Sequence, residues 1–237
     1  MKTALIFLNG FYDYSHLTFY RKEIEKGIEN DRYLICADGG LQLFDKLNEI
    51  DKINMKPDIL IGDLDSVDNT RTQAKQVVEQ WVGQTDKDYT DGQLAVKYAL
   101  EEYNCKRIII YGGLPKPDGY ETDHFLGNLK LMPFGYYNVG FTKQYKAEMR
   151  DPQQTIYYLT SQLRIERQNK NLQRVSIIAN ESKAIVESST NLRWSLSSFH
   201  IHPYNTNALR NEFLNDADWV DIKLADNSAP VYVIHNW

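Results

Sequence analysis

Cysteine is almost absent from this chain. Its 237 residues hold two, Cys36 and Cys105, each beside an apolar run, where a free thiol behaves as a small core residue. They form neither a disulfide framework nor a zinc spacing, which points to a reducing, cytoplasmic setting. Long apolar runs are missing too. No stretch approaches the length of a membrane-spanning helix, and the apolar start Met1–Leu8 meets Asn9-Gly10 before it reaches the length of a signal-peptide core. There is no basic excess. A net charge of -5 argues against a nucleic-acid binder, which needs lysines and arginines to neutralise a phosphate backbone. It leaves room for a nucleotide, whose charge a metal covers locally. No Gly-x-x-x-x-Gly-Lys-Ser/Thr loop exists, nor a Gly-x-Gly-x-x-Gly turn after a strand, so P-loop kinases and dinucleotide folds find no support. Histidine pairs offer little: His200 and His202 share a strand face but lack a third ligand, and read as surface decoration.

The first half alternates two kinds of segment. Ala4–Leu8, Tyr33–Ala37, Ile59–Ile61 and Arg107–Tyr111 are continuous apolar runs of strand length. Between them, helices are predicted over Thr18–Ile28, Leu41–Leu47, Thr70–Gln80, Gln93–Tyr103 and Phe125–Met132. Such alternation implies a parallel sheet covered on both faces. Each strand runs into polar or glycine residues: Asn9-Gly10, Asp38-Gly39-Gly40, Gly62–Ser66 and Gly112-Gly113. In open α/β sheets the ligand crevice lies outside those carboxyl ends, so four strands deliver polar groups to one rim. After about Pro133, short alternating runs separated by Asn, Asp, Ser and Pro take over, the pattern of an antiparallel sandwich or barrel. No helix is convincing there, unless around Arg210–Phe213. The expected fold class is therefore α/β: a three-layer, parallel-sheet catalytic domain over residues 1–142, followed by an antiparallel β-sandwich over 143–237. The polar stretch Lys143–Gln153 is the expected join.

Two acidic stretches carry the candidate chemistry. Asp63 and Asp65 follow the Ile59–Ile61 strand one residue apart, so in an extended chain they share a face. Paired carboxylates repel unless a cation sits between them, and hard oxygen ligands suit Mg²⁺. A polar turn closing a strand uses the same residue types. The second stretch, Asp86–Asp91, stands just before a helix whose start is marked by a Thr90/Gln93 capping box. A helix start favours anions, Lys87 adds positive charge, and Asp88 and Asp91 lie near one another across the first turn. Asp123-His124 opens the next helix, where a capping and a catalytic role are equally open.

Taken together, these stretches resemble the thiamine pyrophosphokinase (thiamin diphosphokinase) family. The matches come in the family's order: Asn9-Gly10, Ala37-Asp38-Gly39-Gly40, Pro57-Asp58 leading into Gly62-Asp63-Leu64-Asp65-Ser66, Lys87-Asp88-Tyr89-Thr90-Asp91, Gly112-Gly113, then Asp123-His124 with Asn128-Leu129. The second half matches more thinly, at Val175–Ile178, Thr190–Leu196 and Asn211-Glu212. The resemblance implies an enzyme in which the thiamine hydroxyl attacks the β-phosphorus of Mg-ATP, giving thiamine diphosphate and AMP. It implies Mg²⁺ on Asp63, Asp65 and Asp91, with Asp88 close by. Asn9, Asp38, Gly39, Gly40, Ser66, Lys87, Thr90, Asp123 and His124 would bind ATP and substrate along the rim. It also implies a homodimer in which thiamine lies between one subunit's rim and the other's sandwich, packed on Trp194. Three departures stand out. Glu121 occupies the place of the family's arginine, and Asn191 and Arg210 replace a glycine and a serine of its sandwich segments. A diphosphokinase acting on another hydroxymethyl heterocycle, such as a pterin, and a non-catalytic nucleotide- or thiamine-binding protein are the alternatives.

Overall fold

The computed structural model describes residues 1–29, 32–52, 54–62, 80–83, 88–115, 122–140, 142 and 144–237. The chain packs as two units, Met1–Pro152 and Gln153–Trp237.

The first unit is a parallel sheet. Its strands are β1 (Thr3–Phe7), β2 (Tyr33–Ala37), β3 (Ile59–Gly62), β4 (Gln80–Gly83), β5 (Arg107–Tyr111) and β6 (Lys146–Arg150). They stand in the order β6-β5-β1-β2-β3-β4, and every neighbouring pair is parallel. From β1 the chain winds outward through β2, β3 and β4, then returns to place β5 on the opposite side of β1. The strand order therefore reverses between β1 and β5, which is where such sheets bind ligands.

Alternate residues of each strand face opposite ways. On one face Leu5, Phe7, Leu34, Cys36, Leu60, Ile109 and Tyr111 join a core cluster with residues of helices α1 (Leu17–Glu29) and α2 (Leu41–Asp51). On the other, α3 (Asp91–Glu101) packs against β1, β2 and β3 and buries Ala95, Val96, Ala99 and Leu100. Two further helices follow β5: α4 (Thr122–Leu129) and α5 (Leu131–Asn138). The result is the three-layer arrangement expected. Cys36 and Cys105 are both buried free thiols.

Several elements differ from the sequence reading. Gln80, placed at the end of a helix, begins strand β4; residues 70–79 of that helix lie outside the described residues. The single helix expected over Phe125–Met132 is two, because Pro133 has no N–H to donate and is accommodated in the first turn of a new helix. The stretch 143–153, read as the join, contains β6. That strand stays legible to the fold because its charges are paired: Glu148, 4% exposed, accepts from Arg107 and Arg150. Asp58 is an internal brace, its Oδ2 accepting the Leu34 N–H at 2.7 Å and so tying β3 to β2.

The second unit is a β-sandwich. One antiparallel sheet joins β12 (Asn211–Glu212), β9 (Arg174–Ala179), β14 (Val231–Asn236) and β7 (Gln154–Leu159). The other joins β11 (Phe199–Ile201), β10 (Ala184–Thr190), β13 (Trp219–Leu224) and β8 (Gln162–Glu166). Their inner faces meet in one core, with Val175, Ile177, Val231 and Val233 from the first sheet and Ile165, Val186, Val220 and Ile222 from the second. Arg210–Phe213, the one place where a helix was in question, holds β12 instead.

Candidate active site

The glycines after the strands are there for close approach. Gly40 lies so near the Phe7 carbonyl, and Gly39 so near the Asn9 side chain, that neither leaves space for a Cβ. The turn after β2 is thereby pressed against the end of β1. A third contact closes the frame: the Tyr12 hydroxyl donates to the Leu8 carbonyl at 2.7 Å, while the Leu8 N–H donates to the Tyr111 carbonyl of β5 at 3.0 Å.

This framework fixes Asp38. It is 5% exposed and sits in the left-handed region at φ 46°, a conformation that aspartate tolerates better than most residues but that still costs free energy. Asn9 Nδ2 donates to its Oδ2 at 3.4 Å, and its Oδ1 is buried without a hydrogen-bond partner among the described residues. Burying a carboxylate so thinly satisfied is unfavourable unless something else completes it.

Asp38 faces a cavity of about 650 Å³. Its described walls are the ends of β1 and β2 (Leu8, Asn9, Ala37), the first turn of α3 with its cap (Thr90 to Gln93), and α4 into α5 (Asp123, His124, Gly127, Asn128, Lys130, Leu131). The capping box expected from sequence is formed: Thr90 Oγ1 accepts from the Gln93 N–H at 3.3 Å, and Gln93 Oε1 accepts from the Thr90 N–H at 3.0 Å. The start of α3, with its favourable field for anions, thus opens on the cavity. Asp123 Oδ1 accepts the His124 N–H at 2.9 Å, and both side chains are exposed at the mouth. Asn128 Nδ2 donates to the Gly113 carbonyl at 3.3 Å, binding α4 to the end of β5.

Of the residues expected at the rim, Asn9, Asp38, Thr90, Asp91, Asp123 and His124 line this one cavity. Gly39 and Gly40 are buried behind it, and Asp88 is exposed outside its lining. Asp63, Asp65, Ser66 and Lys87 lie outside the described residues, as does Glu121. Among the described residues no group of three His, Cys, Asp or Glu side chains forms a metal cluster, and no helix is long and apolar enough to cross a membrane. Sequence reading missed Lys130, which also lines the cavity; nothing in Leu129-Lys130-Leu131 distinguishes it from an ordinary solvated lysine.

Trp194 belongs to the second unit. Its indole is 53% exposed, so it is not a core residue of the sandwich. The Arg193 guanidinium lies 4.8 Å from the ring centroid and is paired with Glu212 at 2.7 Å. Both departures noted in this region stand in the left-handed backbone region. Asn191 has φ 63° and Arg210 φ 57°, and asparagine is, after glycine, among the residues that best tolerate this region.

Residues 24–138 match the family model for the thiamin pyrophosphokinase catalytic domain. Among solved structures, the chain is similar to thiamine pyrophosphokinase from Bacillus subtilis at 21% identity and TM-score 0.73, over 100% of this chain and 98% of that one. Thiamin pyrophosphokinase from Candida albicans gives 12% identity and TM-score 0.73, covering 99% and 89% of the two chains. The yeast enzyme gives 17% and 0.70, covering 99% and 86%. No curated protein matches the sequence. A parallel α/β unit with this rim, followed by a β-sandwich, defines a two-domain enzyme of the kinase type. Over its whole length the chain shares the two-domain fold of these thiamin pyrophosphokinases, and within its first unit it matches the family's catalytic domain.

Proposed function

We propose that this protein transfers a diphosphate group from ATP to the hydroxyl of thiamine, forming thiamine diphosphate and AMP. The observation that carries the reading is the convergence of Asp38, Asp91, Asp123 and His124 on one cavity at the strand-order reversal, three of them within the matched segment's α3 and α4 regions. In the reaction the thiamine hydroxyl oxygen bonds to the β-phosphorus. The bond from that phosphorus to the oxygen bridging the α- and β-phosphates breaks, and AMP leaves with the electron pair. The hydroxyl proton goes to a carboxylate at the cavity mouth, where Asp123 stands beside His124. The start of α3 holds phosphate oxygens through its dipole and amides.

Mg²⁺ fits the donor set. Asp38 contributes a buried carboxylate oxygen without a partner among the described residues, and hard carboxylate oxygens are the ligands that Mg²⁺ takes. Asp91, together with Asp63 and Asp65, would hold the ion, and bound there it would neutralise phosphate charge. Thiamine would rest on the exposed indole of Trp194 from a second subunit, where an aromatic face suits a cationic thiazolium.

The test is direct. Purified protein mixed with thiamine, ATP and Mg²⁺ should yield AMP and thiamine diphosphate in equal amounts by chromatography. Absence of both products while ATP and thiamine bind would remove the proposed reaction.

A further inference from the structure

Among its described lining residues the cavity is short of positive charge. Asp38, Asp91 and Asp123 line it, and Lys130 is the sole lysine or arginine among its described lining residues. His124 carries charge only when protonated. A ligand with several phosphates is held more tightly at such a wall where a permanent cation meets it.

Local structure puts Lys130 in that place. It stands where the chain turns from α4 into α5: its N–H donates to the Gly127 carbonyl at 3.0 Å, and its carbonyl accepts from Phe134 at 2.9 Å. Its neighbour Leu131 is buried against the first turn of α3, where a Cβ on Gly92 would stand 3.0 Å from Leu131 Cδ1. The missing side chain at Gly92 therefore lets α5 begin close to the beginning of α3. Lys130 shares the resulting wall with Thr90 and Asp91. Its side chain is exposed and makes no ion pair with a described residue, so its ammonium is available to a ligand.

We infer that Lys130 is a specificity-determining residue of this site, its ammonium donating to a phosphate oxygen so that the cavity selects a nucleoside polyphosphate over the bare nucleoside. The inference rests on the nucleotide site proposed above. Lysine suits the role as a mobile point charge that can follow a phosphate.

The experiment is calorimetric titration of the intact protein, Lys130→Gln and Lys130→Arg with ATP and with adenosine, in the presence of Mg²⁺. Lys130→Gln should weaken ATP binding about tenfold, the worth of one charge-assisted contact, and leave adenosine unchanged. Lys130→Arg should recover most of the loss. Binding is read apart from turnover, so the two readings fail separately. An intact protein that binds ATP but makes no thiamine diphosphate overturns the proposed reaction and leaves the Lys130 comparison intact. Equal ATP affinity in the intact protein and Lys130→Gln overturns the role of Lys130, and an intact protein that does not bind ATP overturns both.

Discussion

Asn211 grips the backbone of Trp194 from both sides. Its Oδ1 accepts the Trp194 N–H at 3.1 Å, and its Nδ2 donates to the Trp194 carbonyl at 2.7 Å. Asn211 is itself 4% exposed, so a buried amide on β12 fixes a half-exposed indole on a loop. Asn191 begins that loop in the left-handed region and donates from Nδ2 to the Trp219 carbonyl at 3.0 Å. The loop is thus anchored at both ends while its ring stays open to a ligand.

Stability and ligand affinity should therefore separate across this pair. Asn211→Ala leaves a backbone donor and acceptor unmet and is expected to cost about 1–3 kcal/mol in urea unfolding. Trp194→Ala removes a ring that is mostly outside the core, and should change stability by less than about 1 kcal/mol. It should raise the thiamine requirement about tenfold, with the ATP requirement unchanged, the loss expected of a desolvated cation–π contact. Steady-state kinetics with each substrate varied in turn makes the comparison.

Asp38 presents the reverse case, a residue whose removal helps the fold. Its carboxylate is buried with one weak partner among the described residues, and a buried charge so held is expected to lower stability. Asp38→Asn keeps the shape and the contact with Asn9 while deleting the charge. The variant should melt at the same temperature as the parent or higher, and lose at least about a hundredfold in turnover if the carboxylate serves the transition state. A lower melting temperature would show that Asp38 is structurally satisfied.

Much of this architecture was legible in the chain, for physical reasons. Strands β1, β2, β3 and β5 are uninterrupted apolar runs because both of their faces are covered, and the glycines after them are demanded by close contacts. The start of α3 could be read from Thr90 and Gln93, since a capping box is purely local. What escaped was non-local. Strand β6 reads as a polar linker because Glu148 and Arg150 look solvated until Arg107 and Glu23, far away in sequence, arrive to pair with them. Two-residue β12 has too few residues to show a period, and the exposure of Trp194 depends on the loop that Asn211 holds. Lys130 reaches the rim through the packing of Leu131 on Gly92, which no linear pattern encodes.

The paired charges under the sheet give a second stability test. Glu23, 6% exposed, accepts from the Tyr111 hydroxyl at 2.7 Å, from Arg150 at 3.0 Å and from Lys26 at 3.2 Å. Burial pushes its carboxyl up, but the Tyr111 hydroxyl and the Arg150 and Lys26 charges outweigh it and hold the group below its ordinary range. A depressed carboxylate contributes stability above its unfolded pKa of about 4.3, and that contribution is lost as pH falls through the folded value. Glu23→Gln should cost about 1–2 kcal/mol at neutral pH, because Arg150 loses one of its two carboxylate partners and keeps Glu148. In urea titrations the gap between parent and variant should close below about pH 4.

His235 sets a different acid limit in the sandwich. It is fully buried on β14, stacked on Phe213 with ring centroids 5.3 Å apart, and bonded through Nε2 to Gln173 Oε1 at 2.8 Å. Gln173 Nε2 donates to the Asn169 carbonyl, which orients the amide so that its oxygen faces the imidazole. His235 Nε2 therefore carries the proton in the neutral ring, and Nδ1 has no partner among the described residues. Protonation would place a donor at Nδ1 with nothing to receive it. Burial, with a smaller contribution from Arg167, lowers the His235 pKa to about 4. The unfolded chain takes up this proton near pH 6.5 and the folded chain does not, so stability falls as pH drops from about 6.5 to about 4 and levels below it. The full loss is about 3 kcal/mol. His235→Phe keeps the stack and deletes the titration, so its melting temperature should depend less on pH across that window. If the parent and the variant lose stability in parallel between pH 6.5 and 4, His235 is not the group that sets the slope.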